Sequence, residues 1–254
     1  MAQRIIAFAN QKGGVGKTTT VVSLAARLAA LGKKVCVVDM DPQGNATTNL
    51  GIKGDELEIT AYDMLVKNVT LDKVIIKLRD NLDVIPANIG LASAEVELAT
   101  LAGKDVRLKK ALAQGSNYDY ILIDAPPSLN QLTLNALTAA KEVIVVVQTQ
   151  VFSFLGLAKL TETIEMVREY TNPDLNMSGV VCTLYREQRN LNRNIAEQLR
   201  ENFGNVVFKT PIRENVKLAE APMVGQDIFS YDPACAGAQD YAALCDEIIA
   251  LEGV

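Results

Sequence analysis

Eight consecutive residues, Lys12-Gly13-Gly14-Val15-Gly16-Lys17-Thr18-Thr19, bring together three glycines, two ammonium groups and two hydroxyls. Three glycines in four positions let the backbone turn so that successive N–H groups face one point, as a bound phosphate requires. An apolar run at residues 4–9 precedes the segment, and an Ala- and Leu-rich stretch at 17–31, ending at Gly32, follows it. A helix starting at Lys17 would aim its positive dipole end at the same point. Lys17 is then placed to reach the β- and γ-phosphates of a nucleotide, and the Thr18 hydroxyl to ligate Mg²⁺. The glycines, Val15 and Thr19 complete the expected cradle. The standard pattern G-x-x-x-x-G-K-[ST] has glycine where this chain has Gln11, and Lys12 is an additional cation five residues before Lys17.

The second set of chemically capable residues is acidic. Asp39 closes the apolar run 34–39, Asp41 lies two residues beyond it, and Asp124 closes the run 120–124. One strand-terminal aspartate is often only a cap or turn former. Two such sites downstream of a phosphate loop point instead to a metal and a nucleophilic water. The chain has no histidine, so catalysis must rest on carboxylates, lysines and metal ions.

These residues need strand ends to hold them. Apolar runs at 4–9, 34–39, 82–85, 120–124, 142–148, 177–183 and 206–208 read as strands. Helices are expected at 17–31, 60–66, 92–101, 156–170, 191–203 and 238–251. Strands apolar on both faces and alternating with helices imply an α/β fold, a single doubly wound and mostly parallel sheet with helices on both faces. Ligands of such sheets bind beyond the C-terminal strand ends, where the glycine turn and both aspartate sites fall. With 254 residues and no linker-like break, one domain over 1–254 is expected. The four cysteines lack metal spacing, three of them sit in apolar runs where a small buried hydrophobe is usual, and a reducing cytoplasm is expected. No signal peptide or membrane span is expected from the sequence.

Net charge is −5, which offers no overall attraction to nucleic acid, but the charge is unevenly spread. Residues 185–217 carry seven basic side chains against four acidic ones, and residues 218–254 carry seven acids and no lysine or arginine.

The loop resembles the deviant Walker A signature of the P-loop family that includes ParA and Soj partition ATPases, MinD and the nitrogenase iron protein. Asp41-Pro42-Gln43-Gly44-Asn45-Ala46-Thr47-Thr48, the 215–222 segment Asn-Val-Lys-Leu-Ala-Glu-Ala-Pro and Tyr231-Asp232-Pro233 extend the likeness to ParA and Soj almost end to end. The resemblance implies a Mg²⁺-dependent ATP hydrolase in which Lys12 reaches across a nucleotide-sandwich dimer to the partner's phosphates. It makes Lys12, Lys17 and Asp41 catalytic, with Asp41 setting the attacking water, and gives Thr18, Asp41 and Asp124 to the magnesium site. Asp39 would organise the loop and the metal's surroundings. The base pocket would lie near Thr183 and at Pro211, Arg213 and Asn215. Arg189, Arg193, Arg213 and Lys217 would contact DNA non-specifically. Relatives commonly have an arginine at the place of Gln188; here Arg189 comes one residue later.

The implied function is chromosome or plasmid segregation on the nucleoid, with a ParB-type protein stimulating hydrolysis. A positioning ATPase for another cargo and a nucleotide-gated regulatory binder are the alternatives. MinD-like proteins end in a basic amphipathic helix, whereas the acidic tail here would be repelled by anionic lipid, so no membrane partner is expected. The cysteines do not match an iron–sulfur arrangement.

Overall fold

The computed structural model describes residues 3–115, 117–150 and 153–252, with the side chains of 153–155 excepted. Seven strands form one sheet: β1 (Arg4–Ala9), β2 (Val35–Asp39), β3 (Ile76–Arg79), β4 (Leu82–Ile85), β5 (Tyr120–Asp124), β6 (Glu142–Gln148) and β7 (Asn176–Thr183). Their order is β3-β4-β2-β5-β1-β6-β7, and only the β3–β4 pairing is antiparallel. The helices in the first half are α1 (Lys17–Ala30), α2 (Asn45–Asn49), α3 (Ala61–Lys67), α4 (Leu71–Val74), α5 (Leu91–Thr100) and α6 (Arg107–Leu112). Those in the second half are α7 (Gln131–Ala139), α8 (Ser153–Tyr170), α9 (Asn190–Phe203), α10 (Lys217–Glu220), α11 (Ile228–Tyr231) and α12 (Ala236–Ala250).

The two-residue period of a strand divides each apolar run between two cores. Ile6, Phe8, Val35, Val37, Tyr120 and Leu122 pack against α1 and α12. Ala7, Ala9, Cys36, Val38, Ile121 and Ile123 face the opposite layer, built from α3 to α9. Burial on both faces explains why these runs show no polar alternation. Cys36, Cys182 and Cys245 are buried, Cys235 is half-buried, and all four are free.

Three differences from the sequence expectation have physical causes. The alternating sequence Ile76-Lys77-Leu78-Arg79 forms the short antiparallel edge strand β3, whose outer positions need not be apolar. Helices α2, α4, α6, α10 and α11 lie outside the expected set because they are only four to six residues long, too short for an apolar stripe to show. Helix α7 is also outside it, although Asn130 caps it, accepting from the Thr133 amide (3.3 Å). Residues 206–208 form no strand. A 3₁₀ turn covers Gly204–Val206, and a single bridge joins Val207 to Val180. The ladder stops because the Lys209 and Thr210 amides donate to the Glu247 carboxylate of α12, at 2.8 and 2.9 Å, and Pro211 has no N–H.

The chain crosses β7 closely there. A Cβ on Gly179 would lie 2.2 and 2.5 Å from ring carbons of the buried Phe208. Gly179→Ala is therefore expected to destabilise the fold by about 1–3 kcal/mol. Combining it with Phe208→Leu should cost less than the sum of the two single changes. Thermal unfolding of the three variants checks this.

Candidate functional site

The two central strands flanking β5 set the geometry. Asp39 and Asp124 are register partners at the C-terminal ends of β2 and β5, and Phe8 of β1 is the partner of Asp124 on the other side. The glycine turn leaves β1 beside them. Gly14 and Gly16 adopt φ of +71° and +87°, which side-chain-bearing residues rarely hold. Gly16 is the residue preceding α1, and a Cβ there would meet nothing closer than Thr183 at 3.9 Å, so backbone conformation rather than space requires glycine.

Several side chains fix this loop. Asn10 donates to the Val146 carbonyl (2.6 Å) and accepts from the Lys12 amide (2.9 Å). Thr183, at the end of β7, donates to the Val15 carbonyl (2.6 Å). Thr20 donates to the Gly16 carbonyl and meets the Tyr241 hydroxyl of α12 at 3.0 Å. Asn10 and Tyr241 escaped sequence reasoning. The available signal for Asn10 was an amide directly after an apolar strand, where a buried polar group needs partners.

The two lysines are disposed oppositely. Lys17 is buried, and its ammonium donates to the Lys12 carbonyl (3.1 Å), folded into the loop. Burial lowers its pKa, while the Asp124 and Asp41 charges pull it back up. Lys12 is exposed, and its ammonium reaches Gln148 (3.1 Å) and Gln150 (2.7 Å) at the end of β6.

Asp39 is fully buried and serves the loop that follows it. Its Oδ2 accepts from the Thr47 amide (2.9 Å) and hydroxyl (2.7 Å), and its Oδ1 from the Asp41 amide (3.1 Å). Thr47 in turn accepts from the Ala87 amide (2.9 Å), tying α2 to the end of β4. Asp41 accepts from the Gln43 amide at 3.0 Å and lines the cleft described below.

Asp124 differs from Asp39. Its Oδ2 accepts from the Thr18 hydroxyl (2.7 Å), but its buried Oδ1 has no hydrogen-bond partner among the described residues. Burial first, and then the Asp39 charge beside it, push the Asp124 carboxyl up to about 8; burial pushes Asp39 up to about 6. A buried, unsatisfied carboxylate oxygen next to a threonine hydroxyl fits a hydrated divalent cation. Among the described residues no three acidic or thiol side chains converge on one point. Such a cation would therefore keep water and ligand oxygens in its shell, the habit of Mg²⁺.

A cleft of about 450 Å³ opens over the loop. Gly13, Gly14, Gly16, Lys17, Thr18 and Thr19 line its floor, with Asp41 on one side. Thr183, Leu184, Ile212, Arg213 and Asn215 line the opposite side. Of the other expected nucleotide and metal residues, Val15 and Asp124 are buried, and neither they nor Lys12 and Pro211 are among the lining residues. A larger hollow of about 930 Å³ lies among Lys34, Asp83 and Tyr118, at the N-terminal strand ends. The smaller cleft is the candidate site, because open α/β sheets bind ligands beyond their C-terminal strand ends.

Three of the four expected DNA contacts lie on segments that follow or flank β7, whereas Lys217 lies in α10 over the Tyr231 ring. Arg189 immediately precedes α9 and Arg193 lies in its first turn, both exposed. Residue 213 bridges Tyr185, which brings the returning segment alongside. Two of the four cations are already neutralised. Arg213 pairs with Asp240 (2.7 Å) and Lys217 with Glu220 (2.9 Å), and nearby Arg186 pairs with Glu214. Among the described residues Arg189 and Arg193 form no salt bridge.

A family model described as an AAA domain matches residues 3–177. The sporulation initiation inhibitor protein Soj of Bacillus subtilis is 47% identical over 249 residues, 97% of this chain and 98% of that protein. The chromosome partitioning protein ParA of Caulobacter vibrioides is 44% identical over 254 residues, covering 98% of this chain and 95% of the other. Among solved structures, the cobyrinic acid a,c-diamide synthase of Mycobacterium smegmatis, with bound ATP analogue and magnesium, superposes with a TM-score of 0.86. Its identity is 35%, over 98% of this chain and 95% of that one.

Both buried carboxyls are lifted above the usual value near 4, so the folded chain retains protons that the unfolded chain has released. Stability of the metal-free chain is then expected to fall as pH rises from about 4 towards 8. Asp124→Asn should flatten that slope and raise the melting temperature at pH 8 with chelator present. Calorimetric melting of both proteins at pH 5 and pH 8 decides it; an unchanged slope contradicts the assignment.

Proposed function

The chain belongs to the ParA and Soj type of partition ATPases in the deviant Walker A P-loop family, and from that membership we propose that ATP drives its dimerisation and non-specific DNA binding. The observation that carries this reading is the contrast between the two lysines of one loop. Lys17 turns inward to the phosphate cradle, and Lys12 stands outside the cleft on the exposed rim. A cation so placed is better suited to a nucleotide held by a second copy than to its own.

In this mechanism the glycine turn and the first turn of α1 bind the triphosphate through backbone N–H groups and the helix dipole. Lys17 neutralises the β- and γ-phosphates. Thr18 and Asp124 would hold Mg²⁺, which supplies charge neutralisation on the phosphate oxygens when bound. The ATP analogue and magnesium in the mycobacterial structure support that cofactor pair. Asp41 orients the attacking water and is itself oriented through Asp39, whose carboxylate holds the Asp41 amide. Leu184, Ile212, Arg213 and Asn215 surround the base. Lys12 of the second copy neutralises charge on the transferring phosphoryl group, as an arginine finger does.

Dimerisation doubles the cationic patch at α9, so ATP raises DNA affinity by avidity. A ParB-type partner stimulates hydrolysis and releases the dimer from the nucleoid in the cytoplasm. The identities to Soj and ParA support chromosome or plasmid segregation as the role.

Retention on DNA should be greater with ATP than with ADP and should fall steeply with salt. Equal retention with the two nucleotides at low salt sinks the DNA reading. Arg189→Ala and Arg193→Ala should weaken retention several-fold on any sequence, and Arg213→Ala less, because Asp240 already neutralises that guanidinium. Separately, Lys12→Ala should keep nucleotide binding by calorimetry while losing both the dimer and turnover.

A further inference from the structure

The acceptors of Lys12 come from one strand and its extension. Asn10 is anchored on the Val146 carbonyl and holds the Lys12 amide, and the Lys12 ammonium lies on Gln148 and Gln150. β6 ends at Gln148 and the chain bends at 149 and 150, so both carboxamides meet the one ammonium from either side of a tight turn. The end of this strand is itself fixed. The Gln150 amide donates to the Gln148 carbonyl (2.8 Å), and the buried Asn192 of α9 donates to the Thr149 carbonyl (2.5 Å). Asn192 also accepts from the Arg186 amide (3.0 Å), so the strand end is joined to the first turn of α9.

We propose that Gln148 and Gln150 form a neutral holding site that keeps Lys12 over its own loop in the single chain and so sets how readily two copies close on ATP. This rests on the reading that Lys12 acts across a dimer, and it adds the element that opposes the crossing. Both contacts are accepted by uncharged carboxamide oxygens at the protein surface. A carboxylate in either place would bind the ammonium more strongly and would compete with the phosphates. An apolar residue would leave the lysine to water and to any partner. Glutamine is intermediate: it orders the side chain close to where it is needed and lets go when a more negative acceptor arrives. Gln148 and Gln150 are positioning residues for Lys12, not catalytic ones.

Two variants separate the holding role from a general structural one, since they should act in opposite directions. With a slowly hydrolysed ATP analogue, the double change Gln148→Ala with Gln150→Ala should tighten the dimer about three- to tenfold, and Gln150→Glu should weaken it by about tenfold or more. Sedimentation gives the dimer constants. In the nucleotide-free single chain, acylation of Lys12 followed by mass spectrometry should be faster in the alanine variant and slower in Gln150→Glu. Unchanged Lys12 reactivity overturns the proposal. Faster acylation with a weaker dimer also overturns it, because the glutamines would then serve Lys12 inside the dimer. If the wild-type chain does not dimerise with the analogue, the cross-dimer reading itself falls, and the holding site with it. If the wild type dimerises and the variants match it, only the holding site falls.

Discussion

Two carboxylates buried side by side in the middle of a sheet repel one another, and much of the surrounding structure answers that repulsion. Asp39 and Asp124 end adjacent strands in register, cut off from water. Asp39 is accommodated by three hydrogen bonds from the chain just beyond it, so its charge organises the Asp41 loop and α2. Asp124 receives one from Thr18 and keeps an oxygen unmatched. Lys17 stands near enough to favour both Asp124 and itself in the charged form, yet its own burial works against it. The nucleotide-free site is thus a place where charge is held at a cost, and a ligand bringing a divalent cation would relieve it.

The same strand ends carry the mechanical connections of the site. Thr183 joins the loop to β7, Asn10 joins it to β6, and Tyr241 joins the first turn of α1 to α12. Each contact uses a buried polar group whose partner is a backbone atom or a hydroxyl. Such groups are expensive to leave unmatched, so they fix the loop more sharply than apolar packing alone. The Asp39–Thr47–Ala87 chain extends this to β4, so that the segment after β2 is tied to the end of its neighbouring strand.

Much of this was legible in the residues. The phosphate loop, the strand-terminal aspartates and the central strands are short, local patterns in which residue type follows directly from backbone need. The glycines with positive φ and the apolar runs buried on both faces are examples. What stayed hidden depends on distant partners. Residues 206–208 have strand-like composition, and only Glu247, some forty positions away, diverts the next amides from the ladder. β3 alternates like a surface segment because it is one. The pairing of Arg213 with Asp240 and of Lys217 with Glu220 could not be inferred from counting charges between 185 and 217, because both acids lie outside that block.

The two margins of the sheet are finished differently, and the finish has a consequence for crowding. At one margin β3 is four residues long, irregular in register against β4, and bears Lys77 and Arg79. At the other, the returning segment lies along β7, with the Phe208 and Ile212 amides bonded to Val180 and Cys182. Neither margin offers a long bare row of amides and carbonyls on which a neighbour's strand could build. Copies pressed together at high local density therefore have little means of fusing into a continuous ribbon through these margins.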